Sequence, residues 1–370
     1  MPMLTKADDY PIHQTPEPIA YSGTDRNFYD RYFFNGYNPD GDLFFAAALG
    51  VYPHLNIMDA SFCVVHDGVQ HNLHASKHLK MERLDTQVGG IGVEVIEPLK
   101  CLALTCNDKD HGLQADLRFT SRHTPVEEPR FTHRTGARVG MDATRMTQNG
   151  IYQGWIEIKG NRFEISPDLF SGTRDRSWGI RPVGARDTQP DPDQGLPQFY
   201  WIWAPINYDN YCTYYHANTN DTGEAWNTSA VLIDLAHPDR HIKMATQAST
   251  IPLTKGTRHA DHASIDCSDA SGEAYRVLLK PSFNFYMKGL GYTHPEWAHG
   301  LNHGELACAY EEYVLADTVA AEVQNFHIQA FCQAELQTPT SIHHGRGILE
   351  QLIIGPHTPS GLKDMLDMAR

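Results

Sequence analysis

An all-β chain, folded as two antiparallel β-barrel or sandwich halves, is what this sequence predicts. Three observations carry that expectation. Short runs of alternating apolar and polar residues recur throughout, turn signals such as Asp67-Gly68 and Lys159-Gly160-Asn161 divide them, and long helical periodicity is missing. At 370 residues the chain is also longer than one ordinary small domain.

In the first half, strands are expected at 61–66, 92–96, 102–106, 113–119, 152–158 and 162–165. The polar, proline-rich stretch 186–195 reads as a linker and sets halves of 1–188 and 189–370. Strand patterns then resume at 198–203, 231–235, 241–246, 275–280, 305–314 and 322–336. A short C-terminal helix is expected over 360–369. Ser360 would cap it, and Leu362, Met365, Leu366 and Met368 recur on one face.

Composition excludes several function classes. Against 45 acidic residues stand 30 basic ones, giving a net charge of −15 with no Lys/Arg run. Nucleic acid and anionic membrane surfaces are therefore not expected partners. Seven cysteines, irregularly spaced and without a Cys-x-x-Cys pair, read as reduced thiols of a cytoplasmic protein. The first ten residues lack the apolar stretch of a secretory signal, and no run approaches the roughly 18 apolar residues of a membrane helix. A Gly-x-Ser-x-Gly elbow, a Walker loop and a dinucleotide fingerprint are all missing, so no cofactor is expected. His294, Glu296, His299, His303 and Glu305 resemble a ligand cluster. Pro295, Gly300 and Gly304 interrupt the helix that paired ligands would need, so no metal is expected there.

Two segments are candidates for chemistry. In 170–181, charges crowd around Trp178. This reads as a solvated turn with an Arg–Asp pair, or as a barrel-mouth site where Asp175 fixes Arg176 while Trp178 faces a cavity. The second segment is an aromatic band running from Phe199 through Tyr211, Tyr214 and His216 to Trp226. Alternation sends Phe199, Trp201 and Trp203 to one face of a strand and Tyr200 and Ile202 to the other. So many Trp and Tyr suit core packing, or a cavity that holds an apolar ligand and bonds its polar end.

Asp175-Arg-Ser-Trp-Gly179 resembles the Asp-His-Asn-Trp-Gly type motif of the hydroxyneurosporene synthase (carotenoid 1,2-hydratase) and AttH-like superfamily. The order also agrees, with a strand-rich first half, this motif near its end, and a Trp-x-Trp strand opening the second. The resemblance implies two lipocalin-like barrels with a cofactor-free site near their junction. It places the family's motif histidine at Arg176 and its tryptophan at Trp178. The family's Tyr-x-Asp pair falls on Tyr214-Tyr215-His216, with histidine replacing aspartate.

The combined expectation is a cofactor-free lyase or isomerase, of hydratase, dehydratase or cyclase kind, acting on a hydrophobic terpenoid, steroid or aromatic metabolite. His216, Asp175, Arg176 and Tyr214 are the expected catalytic residues. Trp178, Trp201, Trp203, Tyr211, Trp226 and Trp297 are expected to bind substrate. The alternative is a non-catalytic carrier of apolar small molecules.

Overall fold

The computed structural model describes residues 5–21, 23–186 and 197–370, and they form two antiparallel sheets. The first sheet runs Leu306–Val314, Val69–His78, Ile57–His66, Leu43–Tyr52, Phe28–Tyr37, Ser171–Ile180, Arg138–Ile158, Leu113–Ser121, Cys101–Asp108, Ile91–Glu97 and Gln87–Val88. The second runs His241–Lys243, Ala225–Asp234, Tyr211–Thr219, Phe199–Tyr208, Ile342–Ile354, Ile328–Gln337, Ala274–Tyr286, Ala263–Ser268 and Thr246–Thr250. One sheet is a nearly closed barrel and the other a half-barrel.

Period-two alternation builds three apolar layers from these strands. Phe34, Phe45, Phe62, Phe119 and Tyr152 fill the inside of the first sheet. Tyr200, Ile202, Ile206, Leu279 and Leu336 fill the inside of the second. The opposite faces pack on each other through Phe33, Phe44, Trp201, Trp203, Tyr214, Phe285 and Phe331. Consecutive residues therefore serve different cores, as Phe33 and Phe34 do.

Leu306–Val314 crosses over and adds an edge strand to the first sheet, pairing from Leu306 opposite Lys77 to Val314 opposite Val69. The expected boundary at 188/189, and all of the expected linker beyond Arg186, fall outside the described residues. Several central strands, Phe28–Tyr37, Leu43–Tyr52, Val69–His78 and Ile342–Ile354 among them, have no counterpart in the sequence expectation. Leu43–Tyr52 is buried along its whole length, which erases the alternation that marks a half-exposed strand.

The C-terminal helix does not form. A 3-10 turn at Thr358–Ser360 is followed by irregular chain. Asp364 accepts from the backbone amides of Leu366 and Asp367, and buried Arg258 donates to the Asp364 carbonyl. Ala369 exchanges backbone bonds with Gly256 and Thr257. These partners satisfy the groups that a helix would have paired internally. Among the described residues no helix is long and apolar enough to cross a membrane.

Candidate active site

The charged segment is not a turn. Ser171–Ile180 is a central strand, with Asp175 directly opposite Phe33 on one side and Thr147 on the other. Phe33 packs edge-on against Trp203, ring centroids 6.1 Å apart, so this face of the strand meets the second sheet. Arg176 points the other way. It lies opposite Tyr32 and Met146, ion-pairs with Asp30, and sits 3.9 Å above the Tyr32 ring. Trp178 shares that parity and is 41% exposed. Asp175 therefore does not orient Arg176. Arg176 and Trp178 do not share a cavity with Trp203, Tyr214 and His216, because neighbouring residues of a strand point to opposite faces.

Asp175 faces the same layer between the sheets as Trp201, Trp203, Tyr214 and His216, and its charge acts on Tyr214. Their surroundings come from residues far apart in sequence. Thr147 Oγ1 donates to Glu128 Oε1 at 2.6 Å, Arg145 Nε donates to Glu128 Oε2 at 2.7 Å, and the Arg145 guanidinium lies 4.2 Å above the Trp201 ring. The Trp201 indole N–H donates to Glu350 at 3.2 Å, and His327 Nε2 and Gln329 donate to the same carboxylate, each at 2.7 Å. Burial works against ionising Glu128 and Glu350. Arg145, His216 and Thr147 together outweigh it for Glu128, and His327, Gln329 and Arg145 together for Glu350, so both carboxyls sit below their ordinary range.

Asp175 is shifted the other way. Burial raises it to about 7, Glu128 and Glu350 push in the same direction, and Arg145 and Arg31 oppose. As a residue Asp175 is half-buried, and its strand neighbours Phe33 and Thr147 are only 3% and 1% exposed. A carboxylic acid of raised pKa is thus set in the same layer as two carboxyls of lowered pKa and two indoles.

His216 is 1% exposed, and burial keeps its imidazole below the ordinary range, hence neutral. Nε2 faces Asn227 Oδ1 at 3.2 Å, an acceptor, so the ring proton is on Nε2. Nδ1 then accepts the Tyr214 hydroxyl at 2.7 Å. His216 holds Tyr214 in place.

The remaining expected binding residues lie apart. Trp226 packs on Phe131 at 4.9 Å, and Phe131 reaches Trp201 at 6.2 Å, which puts Trp226 at the rim of the layer. Tyr211 faces the inside of the second sheet and meets His343. Trp297 stacks between His74 and His303 at 5.6 and 4.1 Å. Glu128, Arg145, Glu350 and His327 escaped sequence reasoning because no local motif joins residues so far apart.

His74, His294 and Glu311 are the described residues whose grouping could hold a metal, with their ligand atoms within 4.8 Å of one another. Their hydrogen bonds do not fit that role. His294 Nδ1 accepts the backbone N–H groups of Glu296 and Trp297 at 3.0 and 2.8 Å, so the ring proton sits on Nε2, 3.0 Å from Glu311 Oε1. A metal would need the Nε2 lone pair. Glu311 instead collects donors from His74, His294 and the Tyr313 hydroxyl.

Comparison with known proteins gives a family and a fold. The sequence matches the family of unknown function DUF8625 over residues 4–363, and the chain belongs to that family. No curated protein sequence matches it. An AttH-like protein from Nitrosomonas europaea superposes with a TM-score of 0.53 at 10% identity, covering 93% of this chain and 98% of that one. Kievitone hydratase from Nectria haematococca gives 0.50 at 11% identity, covering 87% and 88%. CghA, solved with Sch210972, gives 0.52 at 9% identity, covering 89% of both chains. These neighbours bear out the lipocalin-like, AttH-like architecture that the motif resemblance implied, and the likeness is one of fold.

Proposed function

We propose that this protein is a cofactor-independent lyase or isomerase of hydratase, dehydratase or cyclase kind, acting on a hydrophobic small molecule between its two sheets. One observation carries the reading. Asp175 is a carboxylic acid on the face of its strand that meets the second sheet, beside the Phe33–Trp203 contact, and its titration is moved to about 7. Protonating an alkene or an enol ether requires an acid that still holds its proton near neutral pH. Asp175 is the proton donor in this reading. Glu128 and Glu350 supply fixed negative charge beside the cation that develops, and the Trp203 ring supplies an aromatic wall. Tyr214, held by His216, is the second proton-bearing group. The fold neighbours include a hydratase, which supports the reaction class by analogy.

The carrier reading would use a barrel interior as its calyx. Among the described residues one enclosed cavity in the second sheet measures only about 20 Å³, close to the room one water needs, and the buried inside of the first is aromatic and aliphatic. What favours the layer between the sheets as the ligand site is the raised acidity of Asp175 within it.

The test is to offer the protein a panel of terpenoids, steroids and prenylated aromatics in H₂¹⁸O and follow label incorporation or isomer formation by mass spectrometry. Asp175→Asn should abolish product while the fold survives. Turnover at the wild-type rate in Asp175→Asn, or ligand binding with no product from any class, would overturn the proposal.

A further inference from the structure

A second cavity lies where the Arg31 strand and its neighbours in the first sheet meet the 290–303 segment. It measures about 10 Å³ and is lined by Arg31, Asp59, Ser61, His74, Ala298 and His303, among others. That is close to the room one water molecule needs, provided that two to four polar groups face it.

The polar groups are present and under-used. Arg31 is 2% exposed, and its Nη2 donates to the Leu290 carbonyl at 3.3 Å. Its Nε and Nη1 are buried and have no partner among the described residues, and neither has His303 Nε2. Buried guanidinium N–H groups without an acceptor are costly, so such groups from separate elements lining one small cavity call for a shared partner. Asp59 adds a carboxylate, fixed by the Tyr52 hydroxyl at 3.1 Å and the Gly300 amide at 2.7 Å. Ser61 adds a hydroxyl, bonded to His74 Nδ1 at 3.2 Å. Donors and acceptors are both available, as water requires.

Arg31 also links this cavity to the acid. It stands opposite Ser177, two residues from Asp175 on the same face, and its charge acts on both Asp59 and Asp175.

We propose that the Arg31–Asp59–His303 cavity is a built site for one water molecule, and that this is the water added to or removed from the substrate. The second half rests on the hydro-lyase reading above; the first does not. In the hydration direction Asp175 gives its proton to one alkene carbon. The water oxygen bonds the adjacent carbon, and the proton it loses replaces the one Asp175 gave. Alkene and water become alcohol, and the enzyme ends as it began.

A high-resolution crystal structure of the full chain tests the site without any substrate. A single peak within hydrogen-bond distance of Arg31 and His303 is expected, and a dry cavity overturns the site. Ala298→Val fills the cavity without touching the charges, and His303→Phe keeps the stack on Trp297 while deleting one partner. Each should remove or weaken the peak. With a substrate in hand, each should lower ¹⁸O incorporation by at least about tenfold, as expected when a positioned reactant is lost. Label incorporation at the wild-type rate with the peak gone would overturn the co-substrate role and leave the water site standing. Failure of every substrate would sink the hydro-lyase reading alone.

Discussion

Asp175→Asn removes a carboxyl whose ionisation the fold opposes, and the size of that opposition can be worked out. Asp175 moves from an ordinary 3.8 to about 7 on folding. Each tenfold change in proton affinity is worth about 1.4 kcal/mol, so keeping the ionised form folded costs about 4 kcal/mol. Below pH 3.8 both folded and unfolded chains hold the proton, and nothing is lost. As pH rises from there toward 7 the folded chain keeps a proton that the unfolded chain gives up, so stability falls. The slope is about 1.4 kcal/mol per pH unit, levelling off above the folded value. Asparagine has no such titration. The stability of Asp175→Asn relative to wild type should therefore climb with pH and reach a plateau about 4 kcal/mol above its acid value by pH 8. Any pH-independent packing effect of the amide shifts the whole curve and leaves its shape intact. Urea unfolding of both proteins at pH 4, 5, 6, 7 and 8, followed by tryptophan fluorescence, measures it; infrared spectroscopy should also show a protonated carboxyl band at pH 6 that the variant lacks. A difference that stays flat from acid to alkaline pH would refute the raised acidity and, with it, the proton-donor role.

Arg145→Leu leaves Glu128 buried without its partner and should destabilise the fold by about 3–5 kcal/mol in urea unfolding, as breaking a buried ion pair does. His216→Phe takes the acceptor from the Tyr214 hydroxyl and should cost about 1–3 kcal/mol; in wild type, nitrogen NMR should show His216 protonated at Nε2 and bare at Nδ1 at neutral pH. Trp178→Ala should leave turnover within about twofold of wild type and change stability by under about 1 kcal/mol, since the ring is half-exposed and faces away from Asp175; a large loss of activity would restore Trp178 to the site. Zinc or chelator should leave the melting temperature unmoved, because the His294 proton occupies the position a metal would take.

What could be read in the sequence is what has local period. Alternation at 199–203 put Trp201 and Trp203 on one face, opposite Tyr200 and Ile202, and the strand Phe199–Tyr208 has that division. The unusual composition around Asp175 marked the segment that carries the raised carboxyl. Yet the same alternation, applied to 174–178, already separates Asp175 from Arg176 and Trp178. Reading the segment as a turn, and mapping the motif residue by residue, hid that parity. Leu43–Tyr52 escaped because burial on both faces leaves no alternation to see.

The sequence by itself determined the class of fold, since period-two patterning and turn residues act over a few neighbours. Only the tertiary structure decided the site. Whether Asp175 is an acid or an ordinary carboxylate depends on burial and on Glu128, Glu350, Arg145 and Arg31, which reach it from four other strands or loops. Electrostatic energy depends on distance through space and on the exclusion of water, and strand register between distant segments fixes both.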